Sequence, residues 1–385
     1  MAARRIGEVV PERVTPVDRD RLAALAAGSV ETILANQAPS GAYLACPSFE
    51  PYRFCWLRDG SFIADAVSRA GEVASAEAFF DWCARVLQVR RTMVEELVER
   101  RRGGDSVRSS EHPHSRFTLE GNDSTGEWSN HQLDGYGSWM WALGEHAGRH
   151  GHDVSPLADA VELSARYVVA FVDDPCFDWW EERAGRHTVT LAAAAAGLRA
   201  AAGIDGVAPD VRESSLAGAQ SAIVAIRRDG ARGGRLNAAL GDDRLDASLV
   251  ACAVPFEIFA PDDPLVLATV DALEGELAHG GVHRHAEDTY YGGGEWLLLA
   301  ALLGWYYAAA GRKEDAWAQL TWVADRAEPS GDLPEQTGEH LLAPAVREEW
   351  VHRWGPPASP LLWSHAFYLA LAIRLGVQIR EGAEV

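Results

Sequence analysis

The stretch QLDGYGSWMWALGEHA, residues 132–147, decides the fold class. Leu133, Tyr136, Met140, Leu143 and Ala147 recur at three- and four-residue steps, which places them on one face of an α-helix. The same period predicts helices over roughly 19–37, 60–71, 73–101, 155–173, 188–202, 210–228, 244–254, 263–279, 294–311, 313–327 and 361–379. Alternation with a period of two, the mark of a half-buried strand, is scarce. The chain therefore reads as all-α. No fixed repeat of the kind that marks a helical solenoid is present. Periodicity alone leaves a bundle and a closed double ring both open.

Between the helices lie Cys46–Asp59, Gly103–Asn130, Asp173–Arg186, Gly280–Gly294 and Ser330–Pro360, all rich in Gly, Pro, Asp and Trp. Long loops on a rigid scaffold usually carry function. For Gly103–Asn130, which follows Arg100, Arg101 and Arg102, a solvated, flexible connection is the alternative. No linker or low-complexity tract divides the chain. One domain is expected over 19–385, with an extension over 1–18.

A formal net charge of −21 argues against nucleic acid, which is bound by neutralising phosphates with Lys and Arg. It argues equally against anionic membrane surfaces and fits a neutral substrate. The five cysteines, Cys46, Cys55, Cys83, Cys176 and Cys252, have irregular spacing and no CxxC, so buried free thiols are expected rather than disulfides or zinc ligands. MAARRIGEVVPERVTP has no apolar stretch after its arginines, unlike a signal peptide. The apolar run Trp296–Ala310 is shorter than the ~18–20 residues of a membrane span. These features together predict a cytoplasmic protein. They do not set its oligomeric state.

The loops combine Trp, Tyr, Asp, Glu, Arg and Gly. Aromatic rings suit the apolar faces of sugars, and carboxylates and guanidinium groups suit their hydroxyl rims. The alternative for any single Trp is core packing. In PCFDWWEERAGRHT, residues 175–188, Asp178, Trp180, Glu181 and Glu182 crowd together. Like charges and desolvation can keep one such acid protonated, ready to donate to a leaving oxygen. An exposed acidic turn explains the pair equally well when it is taken alone. GDLPEQTGEH, residues 331–340, offers Glu335 as a partner carboxylate. PYRFCWLRDGSF, residues 51–62, places Arg58 and Asp59 as neighbouring donor and acceptor, or as a local ion pair capping the next helix. RHAEDTYYGGGEW, residues 284–296, supplies Arg284, Asp288, Tyr290 and Tyr291. GEWSNHQLDGYGSW, residues 126–139, supplies Trp128, Gln132 and Asp134 at a helix start, where capping is the plainer reading.

Taken in order, these segments resemble glycoside hydrolase family 15, the glucoamylase family. The resemblance rests on YxxxWxRD at Tyr52–Asp59, QxDG at Gln132–Gly135, DxWEE at Asp178–Glu182, RxxEDTYYxG at Arg284–Gly292, LxEQ at Leu333–Gln336 and Trp363-Ser364. It spans roughly residues 20–380. It implies an (α/α)6 barrel with its active site in loops at one end. It implies Glu181 as general acid and Glu335 as general base, with Tyr52 beside the attacking water and Tyr290 positioning the Tyr52 hydroxyl. Arg58, Asp59 and Arg284 would hold the terminal glucose, with Asp134 and Asp288 in the same sugar-binding set. Trp180 would supply a carbonyl and an aromatic wall, and Glu182 would reach the next sugar. Trp56, Trp128 and Trp363 would line the pocket.

The expected activity is inverting, exo-acting hydrolysis that releases β-glucose from a small α-gluco-oligosaccharide of the isomaltose or maltose type. An α,α-trehalase of the same family is a close alternative. A sugar-binding or regulatory barrel without catalysis is a second, and the presence of both Glu181 and Glu335 speaks against it. Asn130 stands where starch-degrading fungal members carry Arg, so the second-sugar site is expected to differ. The chain has no segment for the β-sandwich of many bacterial members or for a starch-binding domain, which favours a small substrate. No cofactor is expected. His279, His283 and His285 lack partners at usual zinc spacing, so no metal is expected. Ser364-His365 lacks a nucleophile elbow and reads as a structural helix start.

Overall fold

The computed structural model describes residues 16–379 and the side chains from 19 onward. The expected extension over 1–18 lies outside the described residues except for the first turn of α1. Thirteen α-helices occur among the described residues. Five of them, with one 3-10 segment, close an inner ring. α2 (Leu57–Arg69) packs on α5 (Asp134–His150), and α5 on α7 (Thr188–Gly203). α7 packs on the 3-10 segment Ala247–Cys252, and that segment on α10 (Leu297–Ala309). α10 packs on α13 (Leu362–Arg374), which returns to α2.

An outer layer covers this ring. α1 (Pro16–Ala35) lies on α13, α3 (Val73–Val89) on α2, and α6 (Ala158–Phe171) on α5 and α7. α8 (Pro209–Asp229) lies on α7, α9 (Pro264–Glu276) on the 3-10 segment, and α11 (Lys313–Ala324) on α10. The result is an (α/α)6 barrel. An inner helix can be apolar on all sides because every side is covered. Leu297–Tyr307 of α10 is buried throughout. Among the described residues only two short strand pairs occur, Cys55–Trp56 with Arg116–Phe117 and Cys176–Phe177 with Ala184–Gly185.

Three expectations need correction. Residues 244–254 form a 3-10 segment capped by Asp246, not an α-helix. Pro255 has no amide N–H to continue a helix, and a residue before proline avoids the α conformation. The helix over 73–101 breaks at Arg90, where α4 (Arg91–Arg102) begins. Ser330–Pro360 is not all loop, since it contains α12 (Arg347–Trp354).

The barrel axis is filled by rings. Phe62 stacks on Trp363 at 5.5 Å and touches Trp179, Phe367, Phe256 and Trp141. All five cysteines are free and buried. No described helix is long and apolar enough to cross a membrane.

The closest crossing in the ring is between α5 and α7. A Cβ on Gly197 would lie 2.3 Å from the Gly137 carbonyl oxygen, and one on Gly137 would lie 2.4 Å from the Ala193 oxygen. The alanine run of α7 permits this approach. Gly197→Ala is expected to lower stability by about 1–3 kcal/mol through overpacking, despite the better helix propensity of Ala. Gly148→Ala, whose Cβ meets nothing within 4 Å, should instead stabilise by about 0.4–1 kcal/mol. Urea midpoints check both, and a Gly197→Ala midpoint at or above the parent's contradicts the close crossing.

Candidate active site

Each motif segment feeds the N-terminus of an inner-ring helix, so all of them meet at one end of the barrel. There they enclose a cavity of about 550 Å³, within the usual range for small-molecule sites. Tyr52, Trp56, Arg58, Asp59, Trp128, Trp180, Glu181, Glu182, Arg284, Tyr290, Glu335 and Trp363 all border it. Eight of the fourteen tryptophans line this cavity, more than core packing alone would place there.

Glu181 sits on a tight turn built by Asp178. The Asp178 carboxylate accepts from the amides of Glu182 (2.8 Å) and Arg183 (3.3 Å), and its carbonyl accepts from the Glu181 amide (3.0 Å). The turn forces Glu181 to φ +63°, a left-handed conformation uncommon for a non-glycine residue. Such backbone persists only where its surroundings over-determine it, and here they do. Ser129 Oγ donates to the Glu181 carbonyl at 2.8 Å. Glu181 Oε1 accepts from Trp56 Nε1 and Gln132 Nε2, each at 2.7 Å, and lies 3.4 Å from the Arg58 guanidinium. Glu181 Oε2 accepts from Trp128 Nε1 at 2.8 Å.

Glu335 is buried and differently held. Its Oε1 accepts from Tyr52 Oη at 3.0 Å, and its Oε2 has no hydrogen-bond partner among the described residues. Burial pushes its carboxyl up to about 7, against the opposing effects of the Tyr52 hydrogen bond and the Arg284 charge. Burial also holds the Tyr52 and Tyr290 phenols well above their ordinary range, so both stay protonated. Their hydroxyls lie 3.1 Å apart. With Tyr52 donating to Glu335, Tyr290 donates to Tyr52.

The Glu335 loop is pinned from behind. The Glu335 amide donates to the Ala358 carbonyl, and Ser364 Oγ donates to the Pro334 carbonyl. His365 Nε2 accepts from the Leu333 amide, while its Nδ1 meets Ser29 Oγ. Burial holds His365 down at about 3, so the ring is neutral, as an accepting Nε2 requires.

Glu182 pairs with Arg284 at 2.9 Å. Burial opposes its ionisation, but the His285 hydrogen bond and the Arg284 charge outweigh that and hold it down at about 2. Asp288 clamps Arg284 with two oxygens at 2.6 and 2.8 Å. Trp180 Nε1 donates to Asp246, which ties the Glu181 turn to the 3-10 segment of the inner ring. Asp134 holds Arg58 at 3.1 Å. Asp134 and Asp288 do not border the cavity. Each is buried behind the arginine it orients.

Burial pushes the Asp59 carboxyl up to about 7, against the Arg58 charge, with Glu181 and Asp134 adding to the rise. Arg58 Nε and Asp59 Oδ2 form an ion pair at 3.3 Å, while Trp296 Nε1 and Trp363 Nε1 are buried without hydrogen-bond partners. Each such group costs about 1–3 kcal/mol when left unpaired. Their gathering around one cavity fits a ligand that brings many hydroxyls.

Several contacts lay beyond the roles read from the sequence. Gln132 touches Glu181 directly. Arg116 lies 3.5 Å over the Trp128 ring and also packs on Trp56, so it backs both indoles that hold Glu181. It belongs to the stretch whose alternative reading is a flexible connection, and its strand pairing with Cys55–Trp56 argues against that reading. Asn130 accepts from the Ser115 amide and does not border the cavity. His283 meets the Gly293 carbonyl and His285 faces Glu182. Among the described residues no three metal-type side chains converge.

A cavity lined by indoles, arginines and carboxylates, at the loop end of a double helical ring, is the site of a glycoside hydrolase. The sequence profile for glycosyl hydrolases family 15 matches residues 19–320. The isomaltose glucohydrolase of Kribbella flavida is 44% identical over 365 residues, covering 93% of this chain and 94% of that protein. A solved wild-type glycosidase is 43% identical and superposes with a TM-score of 0.92 over 95% of this chain and 100% of its own; a variant solved with glucose matches equally. A bacterial glucoamylase solved with acarbose, 20% identical, shares the fold with a TM-score of 0.73 over 92% of this chain and 56% of its own. The chain belongs to glycoside hydrolase family 15.

The pinning of the Glu335 loop by His365 has a pH signature. A histidine at about 3 when folded and about 6.5 when unfolded gives the unfolded chain the extra proton between those values. Its contribution to stability is full above about 6.5 and is lost as pH falls toward about 3. Between pH 7 and 5 the parent is expected to lose about 2 kcal/mol more than His365→Gln. Urea midpoints at the two pH values check this, and parallel losses contradict it.

Proposed function

We propose that this chain is an inverting, exo-acting α-glucoside hydrolase that releases β-glucose from a small α-gluco-oligosaccharide of the isomaltose type. The reading is carried by one contrast: Glu181 and Glu335 border a single cavity, and both Glu181 oxygens accept hydrogen bonds while Glu335 Oε2 has no partner. Glu181 gives its proton to the glycosidic oxygen as the C1–O bond breaks. A water attacks C1 from the opposite face, and Glu335 Oε2 takes its proton. The Tyr290–Tyr52 relay fixes the other Glu335 oxygen. Arg58 and Asp59 bind the hydroxyls of the terminal glucose, with Arg284 beside them, and Asp134 and Asp288 orient the two arginines. Trp56, Trp128 and Trp363 enclose that ring, Trp180 walls it, and Glu182 reaches the next sugar. The isomaltose preference is supported by the Kribbella flavida relative.

Proton NMR of early product from isomaltose, maltose and trehalose tests the stereochemistry. β-Glucose is expected first, from isomaltose above the others, and initial α-glucose contradicts inversion. Glu335→Ala should lower kcat by about 10²–10⁴-fold through loss of the base; near-normal turnover would remove Glu335 from that role.

The base acts only when ionised, so kcat/KM should fall as pH drops below about 7, the value at which Glu335 is held. Tyr52→Phe deletes a hydrogen bond that favours the carboxylate, so this acidic limb should move to higher pH. A limb that stays in place or moves down contradicts the Tyr52–Glu335 coupling.

A further inference from the structure

α12 is the part of the cavity wall that the chemistry above leaves unused. It lies between the Glu335 loop and α13, and two of its tryptophans, Trp350 and Trp354, border the cavity. They stand four residues apart, on the same face of the helix. Their surroundings differ sharply. Trp350 packs edge-on against Tyr290 at 5.0 Å and lies 5.8 Å from Tyr291, which seats the helix on the Tyr290–Gly292 turn. Trp354 is 45% exposed, and its one ring contact is the guanidinium of its neighbour Arg353. It is the only aromatic residue among the exposed large hydrophobic side chains of the described residues, and Leu342 and Val351 of the same segment are exposed too. An exposed indole that borders a ligand cavity marks a contact surface more than an exposed apolar residue elsewhere does.

The rings form a succession leading outward. Trp180 lies 5.4 Å from Trp296, Trp296 lies 6.1 Å from Tyr290, and Tyr290 lies 5.0 Å from Trp350. Trp354 follows one helical turn later, a rise of about 5.4 Å. Its position is fixed rather than loose. Gly355 turns the chain at φ +85°, ψ −169°, a conformation open essentially to glycine alone. Three residues on, the Ala358 carbonyl holds the Glu335 amide. The indole therefore sits on the chain segment that holds the base loop, and it borders the same cavity as the Glu182–Arg284 pair.

We propose that Trp354 is a stacking platform for a third hexose, which makes gluco-oligosaccharides longer than the disaccharide favoured substrates. Sugar rings offer an apolar C–H face that an exposed indole covers without displacing any partner. This inference rests on the oligosaccharide-hydrolase reading above.

The test compares isomaltose with isomaltotriose on the parent, Trp354→Ala and Trp354→Phe. Trp354→Ala is expected to lower kcat/KM for the trisaccharide about tenfold more than for the disaccharide, a difference of about 1.4 kcal/mol. The loss should appear in KM, with kcat for the trisaccharide little changed, and Phe should restore most of it. Equal losses on the two sugars, or none on either, overturn the platform. If the parent hydrolyses neither sugar, the hydrolase reading fails. Calorimetric binding of the same two sugars to the parent and Trp354→Ala then decides the platform by the same differential.

Discussion

The site depends on the capture of one carboxylate. Glu181 is gripped by side chains from two other segments: Trp56 and Arg58 at the start of α2, and Trp128 and Gln132 from the segment before α5. No two of these three segments are adjacent in the sequence. Only the closed ring brings their helix N-termini to one end. The capture also offsets the strained backbone that Asp178 imposes at φ +63°. Fold and site are therefore coupled. The ring delivers the donors, and the donors hold the turn.

The carboxylates around the cavity are separated by their surroundings, not by residue type. Glu335 and Asp59 are buried and held at about 7. Glu182, tied to Arg284 and His285, is held at about 2. The arginines are managed in the same way. Asp134 and Asp288 neutralise and orient Arg58 and Arg284 from behind, and so leave the cavity side of each guanidinium for a ligand.

Much of this was legible in the sequence, for physical reasons. The inner helices announced themselves through apolar periodicity, and the motif segments through crowded aromatics and acids. The 244–254 segment misled because its buried apolar residues, which form a 3-10 turn over Ala247–Cys252, read the same as those of a short buried α-helix. α12 was hidden in a Gly- and Pro-rich stretch, although the four-residue spacing of Trp350 and Trp354 was a signal. Arg116 gave none. It sits in a polar tract, and only the pairing of Cys55–Trp56 with Arg116–Phe117 carries it behind Trp128. Asp134 and Asp288 show a further limit. Sequence marks a residue as belonging to a site, but not whether it faces the ligand or the residue that does.

The account rests on Glu181 and Glu335 acting from opposite faces of one sugar. The most direct measurement is a crystal structure of Glu335→Gln bound to intact isomaltose. The expected result has the Glu181 carboxyl within hydrogen-bond distance of the glycosidic oxygen. A water should sit under C1 on the other face, bonded to the side chain at position 335. A glycosidic oxygen out of reach of Glu181, or both side chains on the same face of the ring, would contradict the mechanism.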